Sequence, residues 1–144
     1  MKIVLQRVKS ASVEVESKTV GKINQGLLLL VGVGHSDTEA TILKVVDKII
    51  QLRVFSDDKG KMNLSIKDIL GEALVVSQFT LFAKTEKGNR PSFTEAAPPS
   101  VAIPLYEYFI QELRKHIVVE CGIFGADMCV RLENDGPVTF QMEF

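Results

Sequence analysis

The chain has 144 residues, 46% of them apolar and 24% charged, which is the size and balance of one soluble domain over residues 1–144 with a core of its own. Seventeen Lys and Arg against eighteen Asp and Glu leave a formal net charge of −1, which argues against a protein that coats long nucleic-acid stretches and leaves open the recognition of one RNA end. The longest apolar run, Leu27 to Val33, is strand-sized and far short of the roughly eighteen residues of a membrane helix, so no membrane partner is expected.

Ile3-Val4-Leu5 opens the chain, and Val13 and Val15 alternate with Ser12, Glu14 and Glu16, the period of a strand with one wet face. Gln6 and Arg7 come too early for a signal peptide, so Cys121 and Cys129 are read as free thiols of a cytoplasmic protein. A hairpin through Ser17-Lys18 leads to Val20, and Leu27 to Val33 reads as a strand buried on both faces. Ser36 and Glu39 have capping-box spacing before a helical stripe of Ile42, Val45, Val46, Ile49 and Ile50, with Lys44, Lys48 and Gln51 toward water.

Val54-Phe55 forms a short strand before a turn at Ser56 to Gly60. Ala73 to Val76 is a buried strand that carries on into Ser77-Gln78-Phe79-Thr80-Leu81. Lys84, Lys87 and Arg90 fall in a segment rich in Gly, Asn and Pro, which from charge alone reads as a solvated loop. A second helix is expected to start near Val101, with Pro104 in its first turn and Leu105, Phe109 and Leu113 on its buried face. Met128 to Glu133 and Val138 to Phe144 alternate as a C-terminal pair of strands joined by a turn at Asn134-Asp135-Gly136-Pro137. The pattern predicts an α+β domain with a mixed or antiparallel sheet or small open barrel and two main helices.

Chemistry is sparse. His35 and His116 have ordinary structural readings, the second at a helix C-terminus where the dipole favours a cation. Cys121 and Cys129 lie eight apart with no histidine near them, so no metal is expected, and no phosphate loop or Ser-His-Asp pattern implies a cofactor or a triad. An enzyme built from these residues must work by positioning and backbone dipoles. Two polar segments interrupt the apolar strands: Ser77-Gln78 with Thr80, and Asn134 to Pro137.

Ser77-Gln78-Phe79-Thr80-Leu81, followed some fifty residues on by Asn134-Asp135-Gly136-Pro137-Val138-Thr139, resembles the paired signature of the D-aminoacyl-tRNA deacylases. Met1 to Val8, Arg90-Pro91-Ser92-Phe93 and Phe124-Gly125-Ala126-Asp127-Met128 resemble family segments in the same order. The resemblance implies a cytoplasmic homodimeric ester hydrolase that needs no cofactor and acts on the acceptor end of D-aminoacyl-tRNA, with mischarged glycyl-tRNA as a further substrate. It implies a pocket wall of Ser77, Gln78, Phe79 and Thr80, with the backbone of Ala102 at the pocket. Gly136 and Pro137 would form a cis pair that gates chirality from the other subunit, held by Arg7, and Phe124 and Met128 would contact the terminal adenine. The alternatives are a non-enzymatic dimer that binds nucleic-acid ends and a hydrolase of other D-amino-acid esters.

Overall fold

In the computed structural model, which describes residues 1–144, the other strands assemble on β1 (Lys2–Val15). The turn at Glu16-Ser17, where both residues have positive φ, returns the chain as β2 (Lys18–Ile23), antiparallel to the second half of β1. Strand β3 (Gly26–Gly32) then pairs antiparallel with the first half, from Lys2 to Val8. Helix α1 (Glu39–Gln51) and a small hairpin of β4 (Phe55–Ser56) and β5 (Met62–Leu64) cross over to β6 (Glu72–Ser77), parallel to β3. Helix α2 (Pro99–Arg114) makes the second crossover, to β7 (Val118–Cys121), parallel to β6. Parallel neighbours cannot be joined by a tight turn, and the two helices are the connections they require. Strand β8 (Cys129–Glu143) pairs antiparallel with β1 along nearly its whole length, and β2 packs beside β7. The mixed sheet is thereby nearly closed into a barrel with two helices, the α+β domain that the pattern predicts.

The period of two in the strands sorts their side chains into two cores. Ile3, Leu5, Leu27, Leu29, Ala73 and Val75 face the helices, where they meet the α1 stripe and Phe109 and Leu113 of α2. Val8, Ala11, Val13, Leu28, Leu74 and Val76 fill the barrel. The register of β1 against β8 shifts between Val8 and Ser10, and this bulge at Lys9 resets the alternation between Val8 and Ala11.

Three local readings need correction. The cap of α1 is Thr38, whose hydroxyl accepts from the Thr41 N–H while the Thr41 hydroxyl accepts from the Thr38 N–H, so Ser36 and Glu39 do not form the box. Helix α2 begins at Pro99 and carries Pro104 in its second turn; Pro99 takes the first position, where no N–H is needed, and Pro104 sits on the exposed face, where water can serve the carbonyl it leaves free. Its buried face is Ala102, Tyr106, Phe109, Ile110 and Leu113, with Leu105 only half-buried. The two C-terminal runs are one strand, not a hairpin pair, because both pair with β1: Val8 faces Asn134 and Gln6 faces Thr139, so Asp135 to Val138 form a bulge opposite Arg7, with Gly136 and Pro137 exposed and Val138 turned into the core.

The parallel β3–β6 register begins at Gly26 opposite Glu72, where a Cβ on Gly26 would fall 1.8 Å from the Glu72 carbonyl oxygen. Gly26→Ala therefore forces the strands apart and is expected to cost about 1–3 kcal/mol. A urea midpoint that falls at unchanged m value checks this; an unshifted midpoint would show that the strands do not approach so closely.

Candidate active site

Strand β6 ends at Ser77, and the Gln78 N–H extends the ladder by one bond, 2.8 Å to the Val31 carbonyl. The chain then leaves the sheet as a short 3-10 helix over Phe79–Phe82, not as the continued strand that the sequence predicts. This turn matters chemically, because the N–H groups of Phe79 and Thr80 lie at a helix start and have no acceptor within it. Beside them the Gln78 side-chain amide donates to the Thr80 hydroxyl at 2.5 Å. Phe79 is 56% exposed and packs edge-to-face on Phe93, with ring centroids 5.1 Å apart.

Two further segments close around this strand end. The Ala97 N–H donates to the Val33 carbonyl at 2.9 Å, which pins the approach to α2 across the ends of β3 and β6. On the other side the Gly122 N–H donates to the Val75 carbonyl at 3.0 Å and delivers Phe124 to Met128. That carbonyl also accepts from the Tyr106 hydroxyl at 3.1 Å, and the Tyr106 ring packs edge-on against Phe124 at 5.6 Å. Burial pushes the Tyr106 phenol above its ordinary value, so it stays a donor.

Together these segments enclose a pocket of about 640 Å³, within the range of small-molecule sites. Of the residues anticipated from sequence, Ser77, Gln78, Phe79, Ala102, Phe124 and Met128 line it, and Thr80 stands beside it on the 3-10 helix. Val31, Val33, Val76, Ala97, Pro99 and Val130 complete the apolar walls and were not singled out in the sequence. Neither were Phe93, Ala96 and Asp127, although the first and last belong to segments that carry the family resemblance. Asp127 is the one ionisable side chain on the wall, and it is exposed. Neither histidine lines the pocket; His35 meets the Thr94 carbonyl at 3.0 Å and His116 lies just beyond α2.

Arg7, Gly136 and Pro137 line no part of this pocket. Arg7 is buried, its Nη1 donating to the Val54 carbonyl at 2.6 Å and its Nε to the Asp135 carbonyl at 2.9 Å, with the Asp135 carboxylate 3.0 Å away. The Asn134 amide donates back to the Arg7 carbonyl at 3.2 Å. The β8 bulge is thus tied to β1 and to the segment after α1. Gly136-Pro137 is a cis peptide, and a Cβ on Gly136 would meet the Asn134 side-chain oxygen, so a side chain there would have to displace the amide that bonds the Arg7 carbonyl.

Residues 4–143 match the family model for D-Tyr-tRNA(Tyr) deacylase. A solved structure described as c-Myc DNA unwinding element binding protein is 42% identical, covers 100% of this chain and 99% of its own, and superposes with a TM-score of 0.94. Another, described as a probable eukaryotic D-amino acid tRNA deacylase, shares the fold at a TM-score of 0.82 with 18% identity, over 98% of this chain and 97% of its own.

Removing the guanidinium in Arg7→Met leaves two carbonyls without their donor and is expected to cost about 1–3 kcal/mol. Hydrogen exchange should accelerate at the Asp135, Gly136 and Val138 amides well beyond any change at Ser77 to Thr80. Equal acceleration at both segments would show that Arg7 supports the whole fold and not the bulge.

Proposed function

The chain belongs to the D-Tyr-tRNA(Tyr) deacylase family of hydrolases, and from that premise we propose that its pocket receives the aminoacyl end of D-aminoacyl-tRNA and releases free D-amino acid and tRNA. The observation that carries this placement is the pocket itself, of about 640 Å³, walled by Ser77, Gln78 and Phe79 with unclaimed N–H groups at its edge. An aminoacyl ester is already activated. A site that aligns it with water or with the ribose hydroxyl, and meets the developing oxyanion with the Phe79 and Thr80 N–H groups, suffices for its hydrolysis. Thr80 is a poor nucleophile in this setting, because its oxygen accepts a hydrogen bond from the Gln78 amide, and an amide is no base. Phe124 and Met128 offer an apolar surface for the terminal adenine, and the backbone at Ala102 flanks the ester.

The chirality gate is assigned to a second copy of the chain. Gly136 and Pro137 stand outside their own pocket, and the outer edge of β8 is unpaired, with Leu132, Phe140 and Phe144 exposed along it. We assign that edge to a homodimer in which each bulge enters the other chain's pocket. A rigid backbone wall there excludes an L side chain and ignores which D side chain is present. Glycine has no side chain to exclude, so glycyl-tRNA passes as well. The site of action is the cytoplasm, where tRNA is charged, and no cofactor takes part. A second reading, a dimer that binds nucleic-acid ends without hydrolysis, is favoured by one observation, the 42% identical protein described as a DNA-unwinding-element binding protein.

Incubation with D-Tyr-tRNA, L-Tyr-tRNA and Gly-tRNA separates the two: ester loss from the first and third with the second spared supports the deacylase, and binding without ester loss supports the alternative. Thr80→Ala is expected to keep single-turnover deacylation within about tenfold of wild type, whereas loss of a nucleophile costs several orders of magnitude. A threonyl ester trapped during turnover would overturn this mechanism. Phe140→Glu, at the β8 edge, should shift the protein toward monomer in sedimentation and abolish the sparing of L-Tyr-tRNA; a monomer that still discriminates would exclude the cross-subunit gate.

A further inference from the structure

Between the 3-10 helix and α2 the chain makes an excursion that the pocket does not explain. Lys84 and Ser92 exchange two backbone hydrogen bonds, of 2.8 and 3.1 Å, and close the loop at its base. The Lys84 ammonium meets the Glu95 carboxylate at 2.6 Å, which holds Glu95 well below the usual carboxylate range and Lys84 above the usual lysine range. The base is therefore fixed and its charges are spent on each other. At the tip Gly88 has a φ of +71°, which glycine adopts without steric cost. On either side of it stand Lys87 and Arg90, both exposed and neither in an ion pair.

Those two cations are tethered to the pocket. Phe93 lies on the wall, packed against Phe79, and Arg90 precedes it by three residues, so their Cα atoms are at most about 10 Å apart. The wall itself offers no cation, since its one charge is the Asp127 carboxylate. A ligand that seats its terminal nucleoside in the pocket carries phosphates that must leave past the rim. Successive phosphates advance about 3.4 Å per nucleotide along a stacked strand, so two or three of them fall within the reach of this loop.

We propose that Lys87 and Arg90 form a phosphate clamp for the single-stranded 3′ end of the RNA, holding the nucleotides next to the terminal one while the pocket holds the aminoacyl adenosine. The assignment rests on the deacylase reading of the pocket. It adds what that reading lacks: an element that grips RNA in a chain of net charge −1. Arginine can take a phosphate through two parallel N–H bonds, whereas lysine acts as a point charge, so Arg90 fixes geometry and Lys87 adds attraction.

The test compares wild type with the double variant Lys87→Gln/Arg90→Gln on two substrates, D-Tyr-tRNA and D-tyrosyl-adenosine, which carries no phosphate. The clamp predicts at least a tenfold loss of kcat/KM on D-Tyr-tRNA and no change on D-tyrosyl-adenosine. Equal loss on both, or no loss on the tRNA, overturns it. Binding of an RNA hairpin with a four-nucleotide 3′ tail and no esterified amino acid, followed against salt, gives a readout independent of catalysis. Removing two contacts on a single strand should flatten the log–log slope by about 1.4, so that the variant loses about sevenfold less affinity between 50 and 200 mM salt than wild type does. An unchanged slope overturns the clamp whatever the activity. Wild type that binds the hairpin with the steeper slope but hydrolyses neither substrate would instead overturn the deacylase reading and leave the clamp standing.

Discussion

Everything in this molecule is arranged around the demand placed on β1, which must pair with three strands while its first half serves the helix-facing core and its second half the barrel. Ile3 and Leu5 face the helices and Val8, Ala11 and Val13 face the barrel, while the alternate residues are half-exposed, so a single slip would exchange buried for wetted side chains. The bulge at Lys9 is where the division is made, and it is also where β1 passes from β3 to β2. Arg7 comes just before this change, on the helix-facing side, where an apolar residue would otherwise fit. A guanidinium is tolerated there because the Val54 and Asp135 carbonyls and the Asp135 carboxylate receive its N–H groups. The same bonds dictate where the β8 bulge stands.

The pocket inherits its position from the parallel pairing. Strands β3 and β6 run the same way and end together, and the chain must turn aside at that end to begin its crossover. The 3-10 helix is that turn, and its first N–H groups are left over for geometric reasons before any ligand arrives. A site of this kind has dipoles fixed by the fold and needs no titrating side chain to supply them. It suits a reaction whose bond is already labile and whose difficulty lies in choosing the substrate. Selection by a backbone wall, as proposed for Gly136 and Pro137, is then economical, since backbone atoms present the same surface to every D side chain.

How much of this could be read from the sequence follows from what periodicity can and cannot distinguish. The α1 stripe was legible because five apolar residues at helical spacing admit one face only, and Leu27 to Val33 was legible because nothing polar interrupts it. The C-terminal strand was misjudged for a physical reason: alternation on both sides of Asp135-Gly136 is the same whether the two runs pair with each other or both with a third strand, and only the partner decides. The start of α2 was misjudged because Pro104 alone was weighed, whereas Pro98-Pro99 already fix an entry five residues earlier. Ser77, Gln78 and Thr80 stood out as polar residues after an apolar strand, and Phe79 was named only through the family resemblance. Val31, Val33 and Ala97 did not, because a pocket wall made of strand residues differs from core only in what lies opposite it.

The bulge on β8 bears on assembly as well as on the site. Strand β7 is flanked by β6 and packs beside β2, while the far side of β8 has no partner, so the barrel has one long free edge. A flat edge of fifteen residues invites the addition of strand after strand. Here the bulge at Asp135 to Val138 divides it into two shorter runs with Gly136 and Pro137 exposed between them, and a neighbour can lie alongside only if it makes room for that pair. A second copy does so in the proposed dimer, because its pocket is the room. Once two edges are satisfied by each other in a two-fold arrangement, no edge remains to propagate, and association stops at two. The feature that completes the neighbour's site is then the same feature that keeps the edge from polymerising, which gives the Arg7 anchor a reason to exist even before any substrate is considered.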